Sequence, residues 1–495
     1  MDTVKRWYAL GALVLCALVI GLDGTVLNVA LATLAADLDA TTGDLQWIVA
    51  AYLVTFSVFL LPAGVAGDRW GRKRLLLGGV ALFGGASVFA AFAGDAATLI
   101  AARAVMGVGA AIIMPLSMSV LPVIFAAHER SRAISFLTVG MAVALPLGPI
   151  VGGWLLENYW WGSVFLINVP IAAIAIVAAA VLLPESRDPS PSKLDVISIG
   201  LSMGGLGLLV YGVIEAPVAG WGSVKILGSI GAGIAALVSF WVRDSLGTKE
   251  FFKNRAFTWG TAATVLAALG LMGVLFALPL RLQAVDGYTA LQTGVRLIPL
   301  IAGLMVTGRL ATPLTARLGH KTVIVCGMLV LSLGFLVGAM TRGYGWTAFW
   351  LALVGLGMGA VMIPAMDTVL AVLPPERTGT GSGVVQSLRQ VAGAFGVAGL
   401  GSLLNSIYAA HLPSSAPEPA RESIVAAVRM GDPSLAAAAR DAFLSGMDGV
   451  MLTCAVGALL GAVLVFSFYR SVAAVEHPDD PQRQLHPAGR AAEGQ

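Results

Sequence analysis

About fourteen stretches of roughly 20 apolar residues, each bounded by charged or Gly/Pro-rich breaks, run almost without pause from residue 8 to residue 468. In hydrocarbon every backbone N–H and C=O must be satisfied within the protein, so segments of this length and apolarity are read as membrane-crossing α-helices. The first six fall near 8–31, 45–66, 75–94, 97–121, 133–156 and 163–184. A second set of six falls near 257–281, 291–312, 322–341, 347–372, 379–405 and 443–468, and two more spans, 195–215 and 225–243, lie between the sets. Only 12% of the residues are charged and 58% are hydrophobic, whereas a soluble domain carries about a quarter charged residues. No polar stretch is long enough to form a soluble domain, so the core must face lipid. Lys5 and Arg6 precede the first apolar run as in a secretory leader, but the run continues to Leu31 and carries Asp23, which suits a first spanning helix better.

The breaks alternate in charge. One side reads Asp68-Arg69-Trp70-Gly71-Arg72-Lys73-Arg74, Glu129-Arg130-Ser131-Arg132, the stretch from Arg243 to Arg255, and Arg317-Leu318-Gly319-His320-Lys321. The segments 37–44, 94–95, 157–162 and 215–222 on the other side contain no Lys or Arg. About 20 basic residues against about 6 place both termini in the cytoplasm by the positive-inside rule. Tyr159, Trp160, Trp161, Trp221, Tyr344 and Trp346 form an aromatic belt at the opposite face. The net charge of +3 is therefore topological, and no nucleic-acid partner is implied. Cys16, Cys326 and Cys454 lie far apart in apolar runs and read as small buried residues, with neither a disulfide framework nor a metal site suggested.

The basic loops after the second and tenth spans are alike, ending Asp68-Arg69-Trp70-Gly71-Arg72-Lys73 and Ala316-Arg317-Leu318-Gly319-His320-Lys321. The fold class expected is an all-α integral membrane protein of two six-helix bundles, residues 1–190 and 251–470, with two inserted helices in 191–250 that leave the second bundle's orientation unchanged. The external loop 408–441 is read as passive in preference to a partly helical lid, and 471–495 as a disordered cytoplasmic tail.

A charge at mid-membrane costs at least ~3 kcal/mol on insertion scales, so ionisable residues inside spans are the sharpest functional signal. Asp23 in the first span and Arg103 in the fourth are the leading candidates, with Asp367 in the twelfth as a second carboxylate of either coupling or gating role. Arg296, Arg309 and Arg389 are expected to form structural ion pairs between helices. A carboxylate in an apolar cavity whose access alternates can carry a proton, and a lipophilic cation seeking the same charge would exchange with it. Gly140, Pro146, Gly148, Pro149, Gly152 and Gly153 make the fifth span kinked and tightly packed, as a hinge requires. In the loop after the second span, Gly67 and Gly71 permit a tight reversal, Asp68 is placed to cap or oppose a helix N-terminus, and Arg72, Lys73 and Arg74 hold the loop at the cytoplasmic surface; with Arg69 these residues are read as a gating loop.

At these residues a resemblance enters. Gly64 through Arg74 resembles the signature loop of the major facilitator superfamily, and the run around Arg103, Gly107 and Gly109 is similar to its fourth-helix motif, whose arginine the family associates with proton transfer. Gly140 through Gly153 resembles the fifth-helix antiporter motif. The run Leu22-Asp23-Gly24-Thr25-Val26-Leu27-Asn28 and the run Phe165-Leu166-Ile167-Asn168-Val169-Pro170 resemble the fourteen-helix drug:proton antiporters, and Trp47 and Tyr52 are counted with these family positions. Ala316 stands where the first loop copy has Asp68.

The function expected is a proton-coupled antiporter in the cytoplasmic membrane, exporting lipophilic or cationic drugs by alternating access. It would act as a monomer, without a cofactor, its partners being a lipophilic small molecule, protons and the lipid bilayer. The alternative is a dedicated exporter of one endogenous metabolite, lipid or self-made antibiotic, and a remote one is a non-transporting sensor or scaffold. The chain has no phosphate-binding loop for ATP, and no HExxH or GxSxG pattern argues for an enzyme.

Overall fold

The computed structural model describes residues 3–187, 195–243, 247–373 and 377–469. The expected tail 471–495 and the boundary at 190/191 lie outside them. The long helices are α1 Thr3–Asp37, α2 Thr42–Trp70, α3 Arg72–Ala91, α4 Ala96–Ile124 and α5 Ala127–Asn158. They continue with α6 Ser163–Leu182, α7 Val196–Ala219, α8 Val224–Arg243, α9 Arg255–Val285, α10 Ala290–Leu318, α11 His320–Met340, α12 Tyr344–Ala371 and α13 Thr380–His411. Two short helices follow, α14 Glu418–Glu422 and α15 Ile424–Arg429, and then α16 Pro433–Phe468. Among the described residues thirteen helices are long and apolar enough to cross a membrane, and the 32-residue α5 completes the set of fourteen.

The repeat shows in how the helices pair. In the first set α1 packs on α5 and α6, α2 on α4, and α3 on α4 and α6. In the second, α9 packs on α13 and α16, α10 on α12, and α11 on α12 and α16, so each contact of one half has its counterpart in the other. The inserted α7 and α8 pair with each other, and α7 alone reaches both halves, against α2 and α13. Large apolar side chains are exposed along the outer surfaces, among them Phe92, Val181, Val224, Val242, Met340 and Phe466, each more than 60% exposed. Such a surface is stable only in lipid. Cys326 is exposed on that surface rather than buried, while Cys16 and Cys454 are buried.

Most spans sit where the hydropathy places them, and several run further. The first helix extends six residues past Leu31, and α16 begins ten residues before 443. Pro299 cannot donate a backbone hydrogen bond, and α10 is correspondingly interrupted at Leu297, between Ala290–Arg296 and Ile298–Leu318. Within α13 the residues Gly396–Leu400 form one π-helical turn.

The loop 408–441 is partly helical and docked, unlike the passive connection expected. α14 and α15 fold against the other half, where the Thr42 hydroxyl donates to the Glu422 carbonyl at 2.6 Å and Arg429 donates to the Ala36 carbonyl at the end of α1, and against their own half, where Tyr408 of α13 donates to the Ala420 carbonyl at 2.7 Å. Alanine-rich spacing hid this lid, because its anchors are backbone carbonyls. Partial burial, with Glu418 and Asp44 nearby, raises the proton affinity of the Glu422 carboxyl. A carboxyl shifted upward on folding contributes stability that is complete below its unfolded-state range and lost as pH rises through the folded-state value. Acidification from neutral pH should therefore increase amide-exchange protection of 424–429 after correction for intrinsic exchange. In Glu422→Gln that pH dependence should disappear; an unchanged dependence would show that another group governs the lid.

Candidate functional site: a buried ion pair and its supports

Asp23 is 2% exposed and Arg103 1%. The Arg103 Nη1 donates to Asp23 Oδ2 at 2.6 Å, its Nε donates to the Ile48 carbonyl at 3.2 Å, and the guanidinium lies 4.2 Å from the ring centroid of Tyr52. Asn168 Nδ2 donates to Asp23 Oδ1 at 3.3 Å and lies 3.4 Å from the Ser87 hydroxyl. Five helices thus supply the cluster: α1 the carboxylate, α4 the guanidinium, α2 the ring and a carbonyl, α6 the amide and α3 the Ser87 hydroxyl. Two polar atoms beside the pair, Tyr52 Oη and Asn168 Oδ1, are buried without a protein partner. The α6 helix is interrupted at Ile167, three residues before Pro170, and this break opens the segment that carries Asn168. Pro170 itself is exposed, Trp47 is partly buried near the start of α2, and Asn28 bonds only to the Gly24 carbonyl of its own helix at 3.3 Å.

The glycines of α5 meet α1 directly. A side-chain carbon at Gly140, Gly148 or Gly152 would collide with Val14, Thr25 or Val26 respectively, so α5 lies flush against the helix that carries Asp23. On another side Gly153 abuts the backbone of Leu291, and Gly294 of α10 abuts that of Pro149. One helix therefore touches both the carboxylate's helix and the opposite half. Pro146 lies inside α5 with Pro149.

The loop after α2 is a four-way tie. Asp68 pairs with Arg72 at 2.8 Å, and Arg72 Nη1 donates to the Ser119 carbonyl of α4 at 3.2 Å. Gly67 packs on Leu116 of α4 with no room for a side chain, and Gly71 turns the chain with φ +113°. Asp68 does not cap α3, because its carboxylate is taken by Arg72. Glu185 does so instead, accepting from the backbone N–H groups of Lys73 at 3.1 Å and Arg74 at 3.3 Å. Arg69 is exposed.

The remaining ionisable residues do not join the cluster. Asp367 is exposed on α12, within electrostatic reach of His320 in the second loop copy. The expected structural ion pairs of Arg296, Arg309 and Arg389 are absent among the described residues. Arg296 instead stacks over Tyr288 at 3.6 Å and Tyr344 at 4.8 Å, Arg309 is exposed on α10, and Arg389 bonds to Gln386. Position within an apolar run does not say which way a side chain faces.

Gln46 was invisible to a search for charges. It is 1% exposed on α2, and its amide donates to the carbonyls of Val397 at 3.0 Å and Ala398 at 2.8 Å in the π-helical turn of α13. Ser402 in turn donates to the Val213 carbonyl of α7 at 2.8 Å. An uncharged amide inside a long apolar run was the available signal.

The family model described as Major Facilitator Superfamily matches residues 13–397. The chain belongs to the major facilitator superfamily. Among its relatives, the tetracenomycin C resistance and export protein of Streptomyces glaucescens is 34% identical over 81% of this chain and 76% of its own. The multidrug efflux pump LfrA of Mycolicibacterium smegmatis is 33% identical over 94% of this chain and 97% of its own. Among solved structures, a bacterial homolog of the human lysosomal transporter Spinster superposes with a TM-score of 0.71 at 16% identity, covering 95% of this chain and 98% of that one. The major facilitator fold and a multi-pass membrane protein that is a transporter, not an enzyme, follow.

Removing one partner of a buried ion pair strands the other charge, at a cost of about 3–5 kcal/mol. Arg103→Gln should therefore lower the thermal midpoint of the purified protein sharply, and adding Asp23→Asn to it should recover part of the loss. Additive losses in the double variant would show that the two groups are not coupled.

Proposed function

We propose that this major facilitator protein is a proton-coupled antiporter that exports lipophilic small molecules, cationic drugs among them, across the cytoplasmic membrane by alternating access. The observation that carries this is the sealed Asp23–Arg103 pair, the one ion pair among the described residues with both side chains almost wholly buried. Protonation of Asp23 removes the charge that holds Arg103, so proton uptake and release are tied to how α1 and α4 sit. Asp23 is itself out of reach of cargo in this arrangement, which gives it the proton and leaves the cargo to the cleft between the halves.

Alternation is supported by where the halves touch. Gln283 donates to the Val29 carbonyl at 2.8 Å, the Leu291 N–H to Glu157 at 3.3 Å, and Gly153 and Gly294 seal α5 against α10. All of these ties lie toward the face away from Arg72. By the positive-inside rule that face is external and both termini are cytoplasmic, so this arrangement is closed outward. The Asp68–Arg72 tie is placed to gate the inner face, and the glycine seam of α5 to act as the hinge. The domain division at 1–190, 191–250 and 251–470 rests on the repeated helix pairing, and the α7/α8 insertion clamps the seam between α2 and α13.

The multidrug name of the relative that covers 94% of the chain supports broad specificity. The relative named for tetracenomycin C export supports the narrower reading of one dedicated antibiotic, and competition of unrelated drugs for transport separates the two. In proteoliposomes with an imposed pH gradient, ethidium should move uphill with the wild-type protein, stop when a protonophore is added, and fail to move uphill with Asp23→Asn. Uphill movement that ignores both changes would refute proton coupling.

A further inference from the structure

Arg389 stands about 9 residues into α13, some 14 Å along the helix from its start at Thr380, deep within the membrane span. Its Nε is buried without a partner, Nη1 donates to Gln386 Oε1 at 3.1 Å, and no carboxylate of the described residues pairs with it. Gln386 and Gly393 share its helix face at spacings of three and four. Gln386 Nε2 reaches Met114 Sδ on α4 at 3.9 Å, and Gly393 packs near Leu53 of α2 and Met272 of α9. This face of α13 is therefore turned toward the opposite half, at the boundary between them.

A permanent positive charge in such a place needs an anion or a polar partner. Gln386 supplies one acceptor, and its other end is occupied by a weakly accepting sulfur. The mid-span carboxylate of the N-terminal half, Asp23, is already held by Arg103 and Asn168.

We propose that Arg389, positioned by Gln386, is a substrate-binding residue of the cleft that recognises the carboxylate or ionised phenol of lipophilic substrates. This rests on the export reading above and deepens it. Cargo with an acidic substituent on a fused-ring body would place the ring against the apolar walls and the anion on the guanidinium. A cation–carboxylate hydrogen bond is among the strong ones, and Arg offers the forked geometry that such a group fits. The protein would then accept zwitterionic and acidic molecules, and purely cationic cargo would bind without using Arg389.

The test is equilibrium binding of two dyes that share one xanthene body, rhodamine 110 with its free carboxylate and rhodamine 123, the methyl ester, followed by fluorescence anisotropy on purified protein in nanodiscs. The expected result is a loss of affinity for rhodamine 110 of about tenfold in Arg389→Gln, with rhodamine 123 unchanged and Arg389→Lys retaining part of the carboxylate preference. Equal weakening of both dyes, or no change in either, would overturn the proposal and leave Arg389 a structural residue. A thermal midpoint measured for each variant identifies misfolding, and Gln386→Leu, which keeps the charge but removes its positioning partner, should weaken rhodamine 110 alone. Binding needs no gradient, so its outcome is independent of the uphill-transport experiment with Asp23→Asn that tests proton coupling.

Discussion

Inside the hydrocarbon a backbone group without a partner costs several kcal/mol, and this governs where the chain departs from regular helix. The interruption in α6 lies one residue before Asn168, which reaches Asp23. The interruption in α10 lies beside Gly294, where α10 meets α5. In α13 the π-helical turn leaves the carbonyls of Val397 and Ala398 turned toward α2, and Gln46 satisfies them. A second π-helical turn, Arg281–Val285 of α9, carries Gln283, which reaches Val29, so all four irregularities stand at the ion pair or at a contact between the halves, where a partner exists to compensate them.

The two halves share a pairing pattern and differ in their charges. In the first, the buried carboxylate and guanidinium cancel, and the basic loop is locked by Asp68 and Glu185. In the second, Ala316 replaces the loop aspartate and the deep arginine of α13 has no counter-charge. The two scaffolds related by repetition therefore carry their charge differently: a sealed pair in the first, and in the second a largely buried guanidinium with no counter-charge among the described residues.

Much of the fold was legible because hydropathy reports burial in lipid directly: the spans follow from apolar length, and Asp23 and Arg103 stood out as charges inside them, although their contact with each other did not. Facing direction was not legible. Asp367 lies four residues from the end of α12 and is exposed beside His320, whereas Arg389 lies deeper in its span and on a face packed toward the opposite half, a difference set by packing between helices distant in sequence. The lid escaped for another reason, since Arg429 and Thr42 bind backbone carbonyls, which every sequence possesses. Glu185 escaped because its role as the cap of α3 depends on α6 ending beside it, some 110 residues away in the chain.

The outer ties also set the scale of the switch. Thr42, Gln283, the Leu291 N–H and Arg429 each make one hydrogen bond, and Gln46 two, across the boundary between the halves on the side away from Arg72, and such bonds contribute about 0.5–1.5 kcal/mol apiece. Together they amount to about 3–9 kcal/mol, while reversing a two-state population from 1:99 to 99:1 takes about 5.5 kcal/mol. Glycine contacts add close packing but no further polar bonds, so opening the outer face exposes few groups that water cannot satisfy. An outer seal of this size is held by a handful of bonds, and neutralising one buried charge in α1, which lies flush against α5, acts on the helix that carries much of it.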